Sequence, residues 1–420
     1  MKAFLAIFTL EFRAVVRSRA LAILLALSVA WMFAMPLVVK SDGSDEGARV
    51  MYVQYALGGV FALTLVALVA AAAGSLAKDR AGRRLALTLV RPVGPAVIAL
   101  ARFAALVSAG AVVLAVAAGI LAARSDLSRG CDHVLSPVME SPRAEAERMY
   151  EVFMQDPDTP REVREAKREE VVRILTQRAA EHYQSIATNA TAKWIFRVPA
   201  DAASGPFAVR LRFTNMYDMR EDVAGEFRLG GFAGEIRDVT KSVTRVPLEG
   251  APGAAPAEEL VFANRGAGEL MLRPRRDIGL LVGADGFGMN LVRAYLELVA
   301  VLGAALAVAL FLGAGLGRST AVFAAVTLLV IAAISPAVVE QCPVELDTAR
   351  GDRIGLALTR FAAAVTSPLT AASPLEHLAA DECIEADEVG LVMAVDLVLF
   401  PLVFALLSAA VLPRKNEEGD

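Results

Sequence analysis

The residues most able to act lie in one short basic stretch. Between Ala77 and Arg102 the chain carries Lys78, Asp79, Arg80, Arg83, Arg84, Arg91 and Arg102, with an apolar run on either side. A short loop this rich in Lys and Arg between two membrane spans is expected to face the cytoplasm. Leu85, Leu87, Leu89 and Val90 give it apolar contacts suited to a short helix on the inner membrane surface. Proline disfavours helical geometry in the residue before it, so Arg91-Pro92 ends that helix, and Gly94-Pro95 turns the chain back into the bilayer.

Elsewhere the chemistry is sparse. No GxxxxGK[ST] phosphate-binding loop occurs, so if ATP drives this protein another chain binds it. The three cysteines form no CxxC or Cys/His metal spacing, and His133, His182 and His377 are too scattered to argue a catalytic triad. Asp396 falls inside an apolar run, where an ionisable side chain is costly and a functional candidate by default. The competing reading has Asp396 snorkel or pair with Arg293. Arg293 and Glu297 have the i,i+4 spacing that allows each to satisfy the other. Cys342 and Cys383 sit at the two ends of one loop, where an oxidising compartment allows a disulfide and leaves Cys131 unpaired. Asn189-Ala190-Thr191 is a glycosylation sequon by pattern only.

These residues require a membrane scaffold. Hydrophobic residues make up 56% of the 420 and charged residues 21%, which points to a polytopic membrane protein with a polar insert. The net charge of −4 gives no reason to invoke nucleic acid. Met1 to Arg19 reads as an amphipathic interfacial helix with Glu11, Arg13 and Arg17 among Phe4, Phe8 and Phe12. A signal peptide is the alternative, but the apolar run Ala20–Val39 is longer than its roughly 7–15-residue core. Six spans are expected, each near the roughly 20 apolar residues a bilayer requires: Ala20–Val39, Val53–Leu76, Ala96–Ala122, Leu291–Leu316, Ala321–Val339 and Val389–Leu412. The Lys/Arg bias of the short loops then puts both termini inside and the insert outside. Gly303, Gly313, Gly315 and Gly317 allow close helix approach, more simply within one subunit than at a dimer seam, and Pro336 and Pro401 are expected to kink their helices.

The expected fold is thus an α-helical polytopic membrane protein with an α+β extracytoplasmic insert. Residues 1–123 form the interfacial helix and three spans, with the basic loop at 77–95. Residues 124–290 form the insert. Residues 291–420 form three more spans and an outer interfacial loop at 341–388, which includes an apolar piece, Ile354 to Leu369. Within the insert, 139–190 reads as a helical hairpin, its second helix opened by the capping box Thr159-Pro160-Arg161-Glu162. Residues 193–283 switch to the period-two pattern of strands, as in Phe207, Val209, Leu211 and Phe213, and suggest a β-sandwich.

The basic loop, taken with its flanks, resembles the cytoplasmic loop of ABC-2-type transporter permeases. The matching residues are Asp79, Gly82, Leu85, Arg91, Pro92 and Val93, with Arg102 where that family often has Lys. Asp79 and Arg83 stand where Glu and Thr or Ser are common in the family. Glu11-Phe12-Arg13 followed by Arg17 resembles the elbow helix that opens such permeases. The resemblance covers the membrane parts and excludes the insert. It implies a non-enzymatic membrane subunit that pairs with a second permease subunit, homologous or identical, in the lipid of a bacterial inner membrane. ATP and Mg would sit on a separate ABC ATPase subunit docked at Lys78, Asp79, Arg80, Gly82, Arg83, Arg84, Leu85, Arg91 and Pro92. Export or remodelling of the envelope would follow, with an envelope protein as a partner of the outer domain. The alternative is a membrane-anchored receptor or scaffold whose outer domain binds such a partner without transport. A polytopic enzyme is a third option, disfavoured by the lack of a catalytic constellation.

Overall fold

A computed structural model describes residues 2–38, 50–81, 94–124, 130–156, 168–180, 182–198, 207–212, 224–236, 243–250, 258–341 and 374–417. Two compact units divide it. One is helical and is drawn from both ends of the chain; the other is Gly130–Asp285.

In the helical unit, α1 (Lys2–Val16) and α2 (Arg19–Val38) meet at a 59° bend between Val16 and Arg19. Ser18 caps the second helix by accepting a hydrogen bond from the Leu21 N–H. A π-helical turn, Met51–Leu57, runs into α3 (Gly58–Ala81), and α4 (Pro95–Arg124) follows. After the β-rich unit come α8 (Phe287–Gly315), α9 (Arg318–Gln341) and the short α10 (Pro374–Ala379). The final helix is continuous through α11 (Ala386–Met393), a second π-helical stretch (Ala394–Leu399) and α12 (Phe400–Glu417).

Among the described residues four helices are long and apolar enough to cross a membrane: Met51–Asp79, Pro95–Arg124, Phe287–Gly315 and Ala386–Val411. The α1–α2 pair meets the same test only as a bent pair, and Arg318–Ala333 is apolar but shorter. Burial ranks these helices. Helix α8 has 78% of its apolar window buried and is the hub, packed on α3, α4, α9 and α12, whereas the final helix has 22% and lies at the periphery.

Two of the four glycines singled out on α8 and just beyond it explain how neighbours come close. A Cβ at Gly313 would lie 2.4 Å from the Ala73 carbonyl oxygen, and one at Gly303 2.5 Å from Leu397 Cδ2. At Gly315 and Gly317 a Cβ would meet no crowding, so the small-residue argument applies to half of that set, and within one chain. Pro401 follows the π-helical stretch. Proline clashes with the carbonyl four residues back, and the Phe400 N–H reaches five residues back to the Val395 carbonyl, which widens the helix just before the ring. Helix α9 runs through Pro336.

The second unit opens with β1 (Gly130–Leu135) and two helices, α5 (Pro142–Gln155) and α6 (Arg168–Ala180), that pack on each other. Ser141 caps α5 through the Ala144 N–H, with proline at the first helical position. The capping box at Thr159–Glu162 lies outside the described residues. Strands β2 (Gln184–Ile186), β3 (Thr191–Ile195), β4 (Phe207–Arg212), β5 (Gly225–Leu229) and β6 (Phe232–Ile236) come next. Then follow β7 (Val243–Gly250), β8 (Glu259–Asn264), β9 (Leu270–Leu272), the one-turn α7 (Pro274–Asp277) and β10 (Ile278–Gly286). Alternation places Ala192 and Trp194 of β3, Phe227 and Leu229 of β5, and Leu260 and Phe262 of β8 in one apolar core, with Phe227 and Phe262 stacked 4.5 Å apart.

These strands do not form the expected sandwich. Eight of them make one sheet in the order β1-β10-β4-β7-β6-β5-β8-β3, and β2 pairs with β9 separately. The short β6–β7 ladder, Phe232 opposite Gly250 and Ala233 opposite Glu249, joins halves that a sandwich would keep apart. The sheet also curls. The Val138 N–H, just past edge strand β1, donates to the Ile195 carbonyl of the opposite edge strand β3 at 2.7 Å. Bringing the edges together in this half-barrel hides backbone groups that an open edge would expose.

Candidate functional sites: an ionic triad and a polar clasp

Three residues from well-separated parts of the chain meet at one end of the helical unit. Arg102, in the second turn of α4, directs Nε to Glu11 Oε1 of α1 at 2.9 Å and Nη2 to Asp79 Oδ2 near the end of α3. The arginine side chain is 11% exposed and the two carboxylates 25% and 20%. Arginine suits this place, because its rigid planar fork serves two acceptors at once where an ammonium offers only a point charge. The guanidinium Nη1 is also buried, without a hydrogen-bond partner among the described residues.

The triad brings together Glu11 of α1, the acidic residue that opens the basic loop, Asp79, and the arginine after the loop, Arg102. Lys78 is exposed beside Asp79, and Arg13 and Arg17 lie on and just after α1. Arg80 closes the same helical segment. Gly82, Arg83, Arg84, Leu85, Arg91 and Pro92 lie outside the described residues. On α1, Phe4, Phe8 and Phe12 stack in series with ring centroids 6.4 and 5.7 Å apart, while Leu5 and Leu10 are exposed.

The opposite end of α8 holds a polar clasp. Asn290, fully buried in its first turn, donates Nδ2 to the Glu382 carbonyl at 2.8 Å and accepts the Ile384 N–H on Oδ1 at 2.8 Å. One turn on, Arg293 donates Nη1 to the Ile384 carbonyl at 3.0 Å. The segment between α10 and α11 is thus bonded to the hub helix through its backbone. Asp381, within that segment, has φ of 57°, a left-handed conformation uncommon outside glycine. His377 Nδ1 lies 3.1 Å from Glu382 Oε2. That hydrogen bond raises the imidazole pKa above its ordinary 6.5. Burial opposes the shift, and the charges of Glu382, Glu388 and Glu376 add to it.

Several sequence expectations change here. Arg293 and Glu297 do not satisfy each other: Arg293 turns to the Ile384 carbonyl, and Glu297, 1% exposed, keeps Oε1 without a hydrogen-bond partner among the described residues. Arg293 likewise does not serve Asp396, which is buried in the second π-helical stretch with its carbonyl beside Gly303. Cys131 is disulfide-bonded, as is Cys383, so Cys131 is not the leftover thiol. Cys342 lies outside the described residues, as does the apolar piece Ile354 to Leu369. Among the described residues no group of three or more His, Cys, Asp or Glu is placed to hold a metal ion. His133 and His182 join neither site, and Asn189 sits exposed in a turn.

Asn290 was missed by sequence reasoning, which used it only as the end of the insert. Its signal was an amide at the very start of a long apolar run, where a polar side chain must find partners. No family model, no curated protein and no solved structure matches this chain.

Proposed function

We propose that this chain is the membrane subunit of an ATP-binding cassette transporter of the ABC-2 type. ATP and Mg would be bound by a separate ATPase subunit, and a second permease subunit would complete the assembly in a bacterial inner membrane. The four apolar helices suit insertion into the bilayer. The observation that carries the reading is the Glu11–Arg102–Asp79 triad. It ties the interfacial helix to both flanks of the basic loop, the end of α3 and the start of α4. A force delivered to the loop by a docked ATPase would therefore reach three helices together. Such a linkage would let nucleotide-driven closure change how the three helices pack. The β-rich unit would lie on the other side of the membrane, in reach of an envelope partner.

The test is co-purification from native membranes in mild detergent, read by mass spectrometry, for wild type and Arg83→Glu/Arg84→Glu. The expected result is an ATPase subunit with wild type and its loss from the variant. If no ATPase appears while envelope proteins do, the receptor or scaffold reading replaces this one.

A further inference from the structure

Helix α4 ends on a second arginine whose surroundings differ from those of Arg102. The guanidinium carbon of Arg124 lies over the Phe33 ring at 4.5 Å and near the Tyr52 ring at 5.6 Å, and Nη1 donates to Tyr52 Oη at 2.6 Å. Phe33 comes from α2 and Tyr52 from the first π-helical turn, so three elements converge on one cation. Beside Tyr52 in that turn, the Tyr55 carbonyl accepts the Trp31 indole N–H at 3.0 Å. Among the described residues Arg124 has no carboxylate partner, although its planar fork carries five donors.

Position supplies the chemistry. Arg102 and Arg124 are 22 residues apart on one helix (124 − 102), which is roughly 33 Å at 1.5 Å per residue. The hydrocarbon core of a bilayer is about 30 Å thick. With Arg102 at one boundary, Arg124 therefore stands at the headgroup level of the other, among a tryptophan and two tyrosines of the kind that favour that depth. Phe33 and Leu37 on α2 and Tyr55 on the π-helical turn are large exposed hydrophobic side chains of the same elements, as a lipid-facing surface would require. A cation stacked on aromatic rings and, among the described residues, without a carboxylate partner is complementary to an oxyanion. At this depth the abundant oxyanion is a lipid phosphate, which a guanidinium can engage with two parallel hydrogen bonds.

We propose that Arg124, held by Phe33 and Tyr52, is a binding site for the phosphodiester headgroup of an anionic phospholipid. The site rests on the membrane reading of the helical unit and is independent of any ATPase.

The experiment compares thermal unfolding of the full chain in phosphatidylcholine nanodiscs with and without phosphatidylglycerol, for wild type and Arg124→Gln. The expected result is that phosphatidylglycerol raises the wild-type Tm and that most of this rise is lost in Arg124→Gln. A merely structural stacking role would lower Tm equally in both lipids and leave the rise intact, which would overturn the proposal. Native mass spectrometry of the wild type covers the case in which the variant does not fold. Phosphatidylglycerol should remain bound in competition with phosphatidylcholine, and equal retention of the two would count against the site. Inorganic phosphate added in neutral detergent should not raise Tm; a rise equal to that with lipid would replace the lipid by a free anion.

Discussion

The two ends of the helical unit are fastened by different physics. At one end Arg102 holds Glu11 and Asp79 by charge, with all three side chains still in partial contact with solvent. At the other, Asn290 holds the 382–384 backbone by neutral hydrogen bonds inside a buried turn. A partly exposed ionic link weakens with salt and resets easily. A buried amide clasp is insensitive to salt and costly to open, because each freed backbone group stays dry. An ionic link of this kind can rearrange at low cost, whereas the amide clasp fixes the register of its segment on α8.

The clasp should give the larger loss when broken. Asn290→Leu keeps the number of side-chain heavy atoms but orphans the Glu382 carbonyl and the Ile384 N–H. At about 1–3 kcal/mol for each buried group left unsatisfied, the total is about 2–6 kcal/mol. Thermal unfolding in detergent should show this loss unchanged between low and high salt. A loss that shrinks in salt would mean that Asn290 acts through the charged Arg293 and His377–Glu382 contacts rather than through its own neutral bonds.

Breaking the triad comes next. Arg102→Met removes two charge-assisted hydrogen bonds and leaves two carboxylates facing each other. Charge-assisted bonds contribute about 1.5–3 kcal/mol each, discounted here for the exposure of Glu11 and Asp79. The expected loss is about 2 kcal/mol at low salt and clearly less at high salt. A double-mutant cycle with Glu11→Gln should give a coupling energy above about 0.5 kcal/mol, as residues in one network do. Strict additivity would mean that α1 is not tied to α4 through this pair.

These two sites also mark what the sequence could and could not deliver. Glu11, Asp79 and Arg102 were each legible as unusual, because charged residues flanking apolar runs are few and need reasons. Their meeting was not legible, since nothing in a chain places residue 11 against residues 79 and 102. Strands such as β4, β5 and β8 could be read from alternation, since a sheet with one buried face must alternate. Their arrangement as one curled sheet could not, because strand order depends on pairings such as Phe232 with Gly250 that leave no periodic trace. The fate of Glu297 was misjudged because i,i+4 spacing permits a pair without requiring it. Backbone acceptors such as the Ile384 carbonyl compete for Arg293 and are invisible in sequence.

A smaller effect separates the two ends by pH. The folded-state pKa of His377 is raised by its hydrogen bond to Glu382. A raised pKa means that the folded form holds the proton more tightly than the unfolded chain. The resulting stabilisation is fully present below the unfolded value near 6.5 and is lost as pH rises through the folded pKa. The Tm should therefore fall modestly as pH is raised from slightly acid to slightly alkaline, and His377→Gln should flatten that profile. The salt response of Arg102→Met should be the same at both pH values, since none of its partners is a histidine. A flat wild-type profile would remove His377 from the clasp.

The smallest effect supplies the reference for charge without burial. Arg143 and Glu147 pair at 3.2 Å across one turn of α5, with side chains 79% and 45% exposed. Exposed i,i+4 pairs contribute about 0.3–0.5 kcal/mol, so Arg143→Ala should change stability by no more than about 0.5 kcal/mol in either direction. The Arg102 triad has the same chemistry at 11% exposure and adds a second acceptor. If both arginine variants lose the same small amount, the triad is a surface ion pair and nothing mechanical can rest on it. If Arg102→Met loses several times more than Arg143→Ala, and both losses shrink with salt, burial is what turns an ordinary ion pair into a joint between three helices.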